Sequence, residues 1–295
     1  MNLGELGRRR ELEARKNGIA AREDLLGPIS PQDPESRPFP TVEDDFYTFS
    51  QLKKEPKSRR EWLVKDLFTS RSINHLVGST SSGKSVIALQ IIKSIREGTE
   101  FLGFKSERRG AIVYFGLEDG KERIDERTDK QHWKIDDDLP EVAFSHSLTL
   151  GSPPGYEKLE KAILKHDPVL IVIDPLMLAT GGKDIVNNRD MSEFAKNLRE
   201  FLTSHKLAFL IIHHSRKTYN NFPDTGEIES GLGATANLGL SDTRLIFYGK
   251  DGEKKIRIFG KDVEPETFSV KKDKENFVWI RKRPYKKSVE NKGGK

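Results

Sequence analysis

Short apolar runs alternate with helically spaced apolar residues through the middle of this chain. Ile73–Val77, Ala111–Phe115, Val142–Ser145, Leu170–Ile173 and Ala208–Ile212 have the length and composition of buried strands. Between them, Lys84–Glu97, Arg123–His132, Tyr156–His166 and Met191–Ser204 read as helices, most plainly where Val86, Leu89, Ile92 and Ile95 recur at helical spacing. Alternation of this kind predicts an α/β fold, a mainly parallel sheet flanked by helices. After Gly231 the pattern changes. Leu245–Tyr248, Lys255–Phe259 and Phe277–Arg281 read as C-terminal antiparallel strands, with turns at Lys250-Asp251-Gly252 and Lys272-Asp273-Lys274.

The flanks lack this pattern. Leu3–Leu26 suits a charged helix whose Leu12, Ile19 and Leu25 are too sparse for a core face, and Gly27–Thr41 carries Pro28, Pro31, Pro34, Pro38 and Pro40, as an extended linker does. Phe46–Leu52 reads as a short docking segment. The chain of 295 residues is therefore expected to divide into a polar, Pro-rich extension at 1–58, one core at 59–283 and a tail at 284–295. No apolar run approaches the roughly 18 residues of a membrane span, and Met1–Arg10 has no apolar signal region. With no cysteine, disulfides, thiolate metal sites and cysteine nucleophiles are excluded. These features fit a cytoplasmic protein without a membrane partner. The net charge of +5 is concentrated at one end: Lys271–Lys295 holds ten Lys/Arg against three Asp/Glu. The run Arg281-Lys282-Arg283-Pro284-Tyr285-Lys286-Lys287 suits either a nucleic-acid backbone or a solubilising tail.

The sharpest chemical signal lies between the first core strand and its helix. Gly78-Ser79-Thr80-Ser81-Ser82-Gly83-Lys84-Ser85 satisfies G-x-x-x-x-G-K-[ST], the phosphate-binding loop of nucleoside-triphosphatases. Its glycines let backbone N–H groups close round phosphates at a helix N-terminus, and Val86 completes the nucleotide-binding set. Lys84 can reach the β- and γ-phosphates of ATP, and the Ser85 hydroxyl can ligate Mg²⁺. Asp174, closing the apolar run Val169–Ile173, emerges where the phosphates would lie and is the second metal candidate. Glu118 and Asp119 follow the Ala111–Phe115 strand; either can activate a water, and Glu118 is nearer the strand end. His213 and His214 end the Ala208–Ile212 strand, placed to sense a γ-phosphate or simply buried; neighbours on a strand face opposite ways, which argues against a shared zinc ion. Arg216–Gly231 is long and polar, and Lys217, Tyr219, Asn220 and Asn221 there suit single-stranded nucleic acid.

Taken together, Trp62–Phe68, Tyr114–Asp119, Ile173–Leu176, Ile211–Lys217 and Gly231–Ala236 resemble the RecA-superfamily P-loop ATPases, in their plasmid RepA-type hexameric replicative helicase branch. The resemblance spans Glu61 to about Lys261. It implies a RecA-like core and an ATP-hydrolysing homo-oligomer, expected to be a hexamer, acting on single-stranded DNA. It also assigns roles: Lys84 and Ser85 to phosphate and metal, Asp174 to metal, Glu118 to the attacking water, and His213 or His214 to sensing. Arg244 is the finger reaching a neighbouring subunit's site, with Arg257 and Lys261 as rivals. A recombination mediator or regulatory ATPase of RadA or KaiC type, without unwinding activity, is the alternative.

Overall fold

The computed structural model describes residues 48–54, 60–150, 153–181, 196–202, 205–214, 241–250 and 253–282. The chain divides after Arg60 into two units. In the first, Phe49–Lys54 forms helix α1. Thr48 and Gln51 cap it reciprocally: Gln51 Oε1 accepts from the Thr48 N–H at 2.7 Å, and Thr48 Oγ1 from the Gln51 N–H at 3.2 Å. The expected segments Leu3–Leu26 and Gly27–Thr41 lie outside the described residues.

The second unit begins with the hairpin β1 (Trp62–Val64) and β2 (Phe68–Thr69), then β3 (Ile73–Gly78) and α2 (Lys84–Glu97). A two-stranded ribbon, β4 (Glu100–Phe101) and β5 (Phe104–Lys105), leads to β6 (Ile112–Gly116), α3 (Lys121–Lys130), β7 (Val142–Ser145) and α4 (Pro153–His166). Next come β8 (Leu170–Asp174), the short α5 (Leu176–Ala179), helical residues 196–202 and β9 (Ala208–His214). Strands β10 (Thr243–Lys250), β11 (Glu253–Gly260), β12 (Glu266–Asp273) and β13 (Val278–Arg281) complete it.

Nine of these strands form one sheet in the order β13-β12-β11-β10-β3-β9-β8-β6-β7. From β10 to β7 every pairing is parallel, and from β10 to β13 every pairing is antiparallel. Strands β6 and β8 read as apolar runs because both faces are covered; every residue of β3, β6 and β8 is buried, Asn74 and His75 of β3 included. Alternation splits them between two faces. Leu76, Tyr114, Val172, Leu210, Ile212, Leu245 and Phe247 join the core that contains the buried side of α2, from Val86 to Ile95. Each such aliphatic side chain contributes about 1.5–3 kcal/mol on burial. Helix α2 therefore sits firmly, and with it the loop at its N-terminus. Its far end stops at Gly98, left-handed at φ 70°, whose N–H bonds the Ser94 carbonyl.

The late strands depart from the sequence reading in three ways. The expected antiparallel strand at Leu245–Tyr248 is part of β10, which pairs parallel with β3 and antiparallel only with β11. Strand β12 is an addition that runs into the turn expected at Lys272-Asp273-Lys274; Phe268 and Val270, buried two apart, make it a strand. The turn comes later, and Phe277, expected to open the last strand, adopts φ 50° within it. The helix starts shift as well: α3 and α4 begin at Lys121 and Pro153 rather than Arg123 and Tyr156.

Candidate functional site

The loop from Gly78 to Ser85 joins the C-terminal end of β3 to the first turn of α2. Its path needs two left-handed residues, Ser81 at φ 58° and Gly83 at φ 100°. Gly83 supplies this where a side chain would be strained, and it caps α2 through backbone alone. Gly78 is equally constrained: a Cβ there would lie 2.7 Å from the Phe247 carbonyl oxygen. The Ser82 N–H and the Lys84 ammonium both donate to the Ser79 carbonyl, at 3.2 and 2.7 Å. Lys84 is buried, and this brings its pKa down to about 8 although the Asp174 and Glu118 carboxylates favour its charged form. An ammonium so placed at a helix N-terminus suits an anion.

Asp174 ends β8 at the same edge of the sheet. It is 5% exposed and receives hydrogen bonds from the Ser85 hydroxyl and, at 2.9 Å, from the Tyr114 hydroxyl on the neighbouring β6. Burial dominates its titration and raises its pKa; the two hydrogen bonds and Lys84 oppose that, and Asp119 adds to it. The two oxygen donors, Ser85 and Asp174, fit a small hard cation such as Mg²⁺, which takes one or two protein oxygens and completes its shell with phosphate and water. Among the described residues no group of three or more His, Asp or Glu could hold a metal by itself.

The two acids after β6 differ in surroundings. Asp119 is buried and ion-paired with Arg127 and, at 2.8 Å, with Arg123, both on α3. Glu118 is 58% exposed, with its carboxylate 3.7 Å from His214 Nε2. The two histidines face opposite ways, as strand alternation requires. His214, level with Gly78, turns toward Glu118. His213, level with Val77, lies on the face that also carries His75 and Arg244, and burial brings its pKa down to about 4. Their Nδ1 atoms are buried without hydrogen-bond partners among the described residues, as is that of His75.

Arg244 lies in register with His75, three residues before the level of Gly78, hence roughly 10 Å along the strand from the loop. It sits 5.4 Å from the Phe259 ring, which Arg257 also flanks at 5.6 Å. Lys261, the third cationic candidate, pairs with Asp242 at 2.9 Å. Asp242 also accepts from Arg199 and from the Ile73 N–H, fastening the beginnings of β3 and β10 together. Lys217, Tyr219, Asn220, Asn221, the Gly231–Ala236 stretch and Arg283–Lys287 lie outside the described residues.

Three contributors escape sequence reasoning. Tyr114 carries a local signal, a hydroxyl in an apolar strand that ends beside Glu118. His75 is the only imidazole inside β3, yet nothing in its spacing marks it. Trp279 packs on the loop from 189 residues beyond its partner Gln90.

A family model described as an AAA domain matches residues 35–220, well over half of the chain. No curated protein matches it. Similar solved structures include the ATPase domain of G40P, with TM-score 0.55 and 13% identity over 73% of this chain and 86% of that one. A KaiC-like protein from the hyperthermophilic archaeon Pyrococcus horikoshii OT3 is similar with TM-score 0.53 and 11% identity, over 76% of this chain and 99% of that one. At such identities the likeness is one of fold, and the fold is the α/β, RecA-like P-loop core. The extent of the sequence match makes the chain a member of the AAA domain family.

Proposed function

We propose that this chain is an Mg²⁺-dependent ATPase that works as an oligomeric, hexameric motor on single-stranded DNA, a RepA-type replicative helicase of the cytoplasm. The observation that supports the reading is convergence: Lys84, Ser85, Asp174 and Glu118, from α2, β8 and the end of β6, come together beside the Gly78–Ser85 loop.

In this reading the loop Gly78–Ser85 with Val86 cradles the phosphates, and Lys84 leaves the Ser79 carbonyl to meet the γ-phosphate. Ser85 and Asp174 hold the cation, and Tyr114 fixes the Asp174 carboxylate. When bound, Mg²⁺ offsets phosphate charge during transfer. Glu118 is exposed and pairs with no arginine among the described residues, so it takes the proton as the water oxygen attacks the γ-phosphorus. The bond from that phosphorus to the bridging oxygen of ADP then breaks. Asp119, held by Arg123 and Arg127, orients α3 instead. His214, beside Glu118, reports the γ-phosphate to the segment after β9, and His213 packs on the opposite face. Arg244 is too far along β10 to serve its own loop, which supports action on a neighbouring subunit. Residues 1–58 are read as an extension preceding the core at 59–283, and the tail at 284–295 as an added contact to DNA phosphates.

The test is displacement of a labelled strand from a forked duplex, with native mass measured in the presence of ATP and single-stranded DNA. ATP- and Mg²⁺-dependent displacement by a ring, abolished in Lys84→Ala, is expected. Hydrolysis without displacement would overturn the helicase in favour of a RadA- or KaiC-type switch. Mixing Arg244→Ala with Lys84→Ala subunits should restore hydrolysis at the interfaces that keep both residues.

A further inference from the structure

Trp279, on the edge strand β13, lies against the phosphate loop from the side opposite the catalytic acids. Strands β9, β8 and β6, which bring His214, Asp174 and Glu118, are all on one side of β3; β10 to β13 are on the other. A nucleotide whose γ-phosphate faces Glu118 therefore extends its nucleoside end toward β13. The indole is 6% exposed and fits the bare face of Gly83, where an added Cβ would lie 3.1 Å from both its Nε1 and Cζ2. Its position is fixed three ways. Gln90 of α2 donates to the Trp279 carbonyl at 3.0 Å and accepts from its N–H at 2.8 Å, and the ring meets Phe247 edge-on at 4.8 Å between centroids.

The backbone of Trp279 is thus satisfied, yet its buried indole N–H has no acceptor among the described residues. The adjacent Ser82 hydroxyl is buried and unpartnered among them too. That hydroxyl could accept, yet it makes no hydrogen bond to the indole, and the rest of the loop has little to offer a donor. Its Ser79 carbonyl already accepts from Lys84 and Ser82, and the Gly83 carbonyl accepts from the Ile87 N–H at 3.2 Å. What remains there are further donors: the unpaired N–H groups of the first helical turn. A tightly held N–H among donors, with its desolvation unrelieved, calls for an anionic acceptor that enters with the ligand.

We propose that Trp279 is a nucleotide-binding residue whose indole Nε1–H donates to an α-phosphate oxygen of the nucleotide held by the Gly78–Ser85 loop. The inference rests on the phosphate-loop reading above and deepens it, adding a contact from the last strand of the sheet. Edge strand β13 thereby closes the nucleoside side of the site.

The direct test is the ¹H–¹⁵N resonance of the Trp279 indole in the full-length protein, assigned with Trp62→Phe and Trp133→Phe variants. Adding ADP should move it downfield and slow its exchange with solvent. An unmoved, unprotected resonance under saturating ADP overturns the proposal. Trp279→Phe keeps an aromatic ring against Phe247 and removes the donor, so its Kd for ADP by calorimetry should rise about tenfold, as loss of one hydrogen bond to a charged group implies. An unchanged Kd overturns the proposal as well. Lys84→Ala separates the two levels of argument: if it binds ADP as tightly as the parent, the phosphate-loop reading itself falls.

Discussion

Replacing Asp174 by Asn should make the nucleotide-free protein more stable while destroying its hydrolysis. The carboxylate is 5% exposed, and burial raises its pKa above the unfolded value against the help of Ser85, Tyr114 and Lys84. An acid with a raised folded pKa stabilises the fold fully only below its unfolded pKa, and that contribution is lost as pH rises through the folded value. Asn keeps the shape and can accept from the Tyr114 hydroxyl, but carries no charge to desolvate. Removing a buried charge that is only partly compensated is worth about 1 kcal/mol, after allowing for weaker hydrogen bonds to a neutral acceptor. For a core of this size that corresponds to about 2–4 °C in Tm. Thermal unfolding of both proteins without nucleotide or Mg²⁺, from pH 4 to pH 8, measures it. The curves should nearly coincide at the acid end and separate in favour of the Asp174→Asn variant as pH rises. Hydrolysis should fall by about a hundredfold or more, as loss of the proposed charged ligand of the cation implies. A lower Tm for Asp174→Asn at pH 8, or a difference independent of pH, would show that the buried Asp174 charge does not cost the fold stability.

Four further outcomes follow from the same site. Because burial brings Lys84 to about 8, ATP binding at pH 8.5 should draw a proton onto it; calorimetry in buffers of different ionisation heat should show uptake that Lys84→Arg lacks. Glu118→Gln should bind ATP and lose most hydrolysis. Asp119→Asn should keep hydrolysis and lose about 1 kcal/mol of stability as Arg123 and Arg127 lose their shared partner, and the reverse pattern in a phosphate-release assay would exchange the two roles. Gly83→Ala forces a Cβ at φ 100° within 3.1 Å of the Trp279 indole; a loss of about 1–3 kcal/mol, read as a lower Tm, is expected.

What could be read from the sequence was local. The phosphate loop, its strand and its helix occupy one continuous stretch, so residue type and spacing carry the whole message. The same holds for Asp174, at the end of an apolar run. In the sequence, Glu118 is preferred to Asp119 only by nearness to the strand end and by resemblance; that Arg123 and Arg127 fold back from α3 onto Asp119 is visible only in the fold. Strand β10 is recognisable as a strand, but its parallel partner β3 lies far away in sequence, and β12 is hidden by its lysines. Tyr114, His75 and Trp279 matter through neighbours on other strands, which no window of sequence displays.

The position of β3 in the sheet also sets an order of assembly. It is flanked by β9 and β10: Asn74 bonds the Phe209 carbonyl 135 residues later, and the Ile73 N–H bonds Asp242 169 residues later. A strand emerging early from the ribosome thus waits for both its neighbours until most of the chain has been made. Long-range parallel pairings of this kind form slowly, because a large loop must close before any contact rewards it. Growing chains that already contain the whole phosphate loop should therefore be unable to retain nucleotide. That capacity should not appear before the strand carrying Arg244 has emerged.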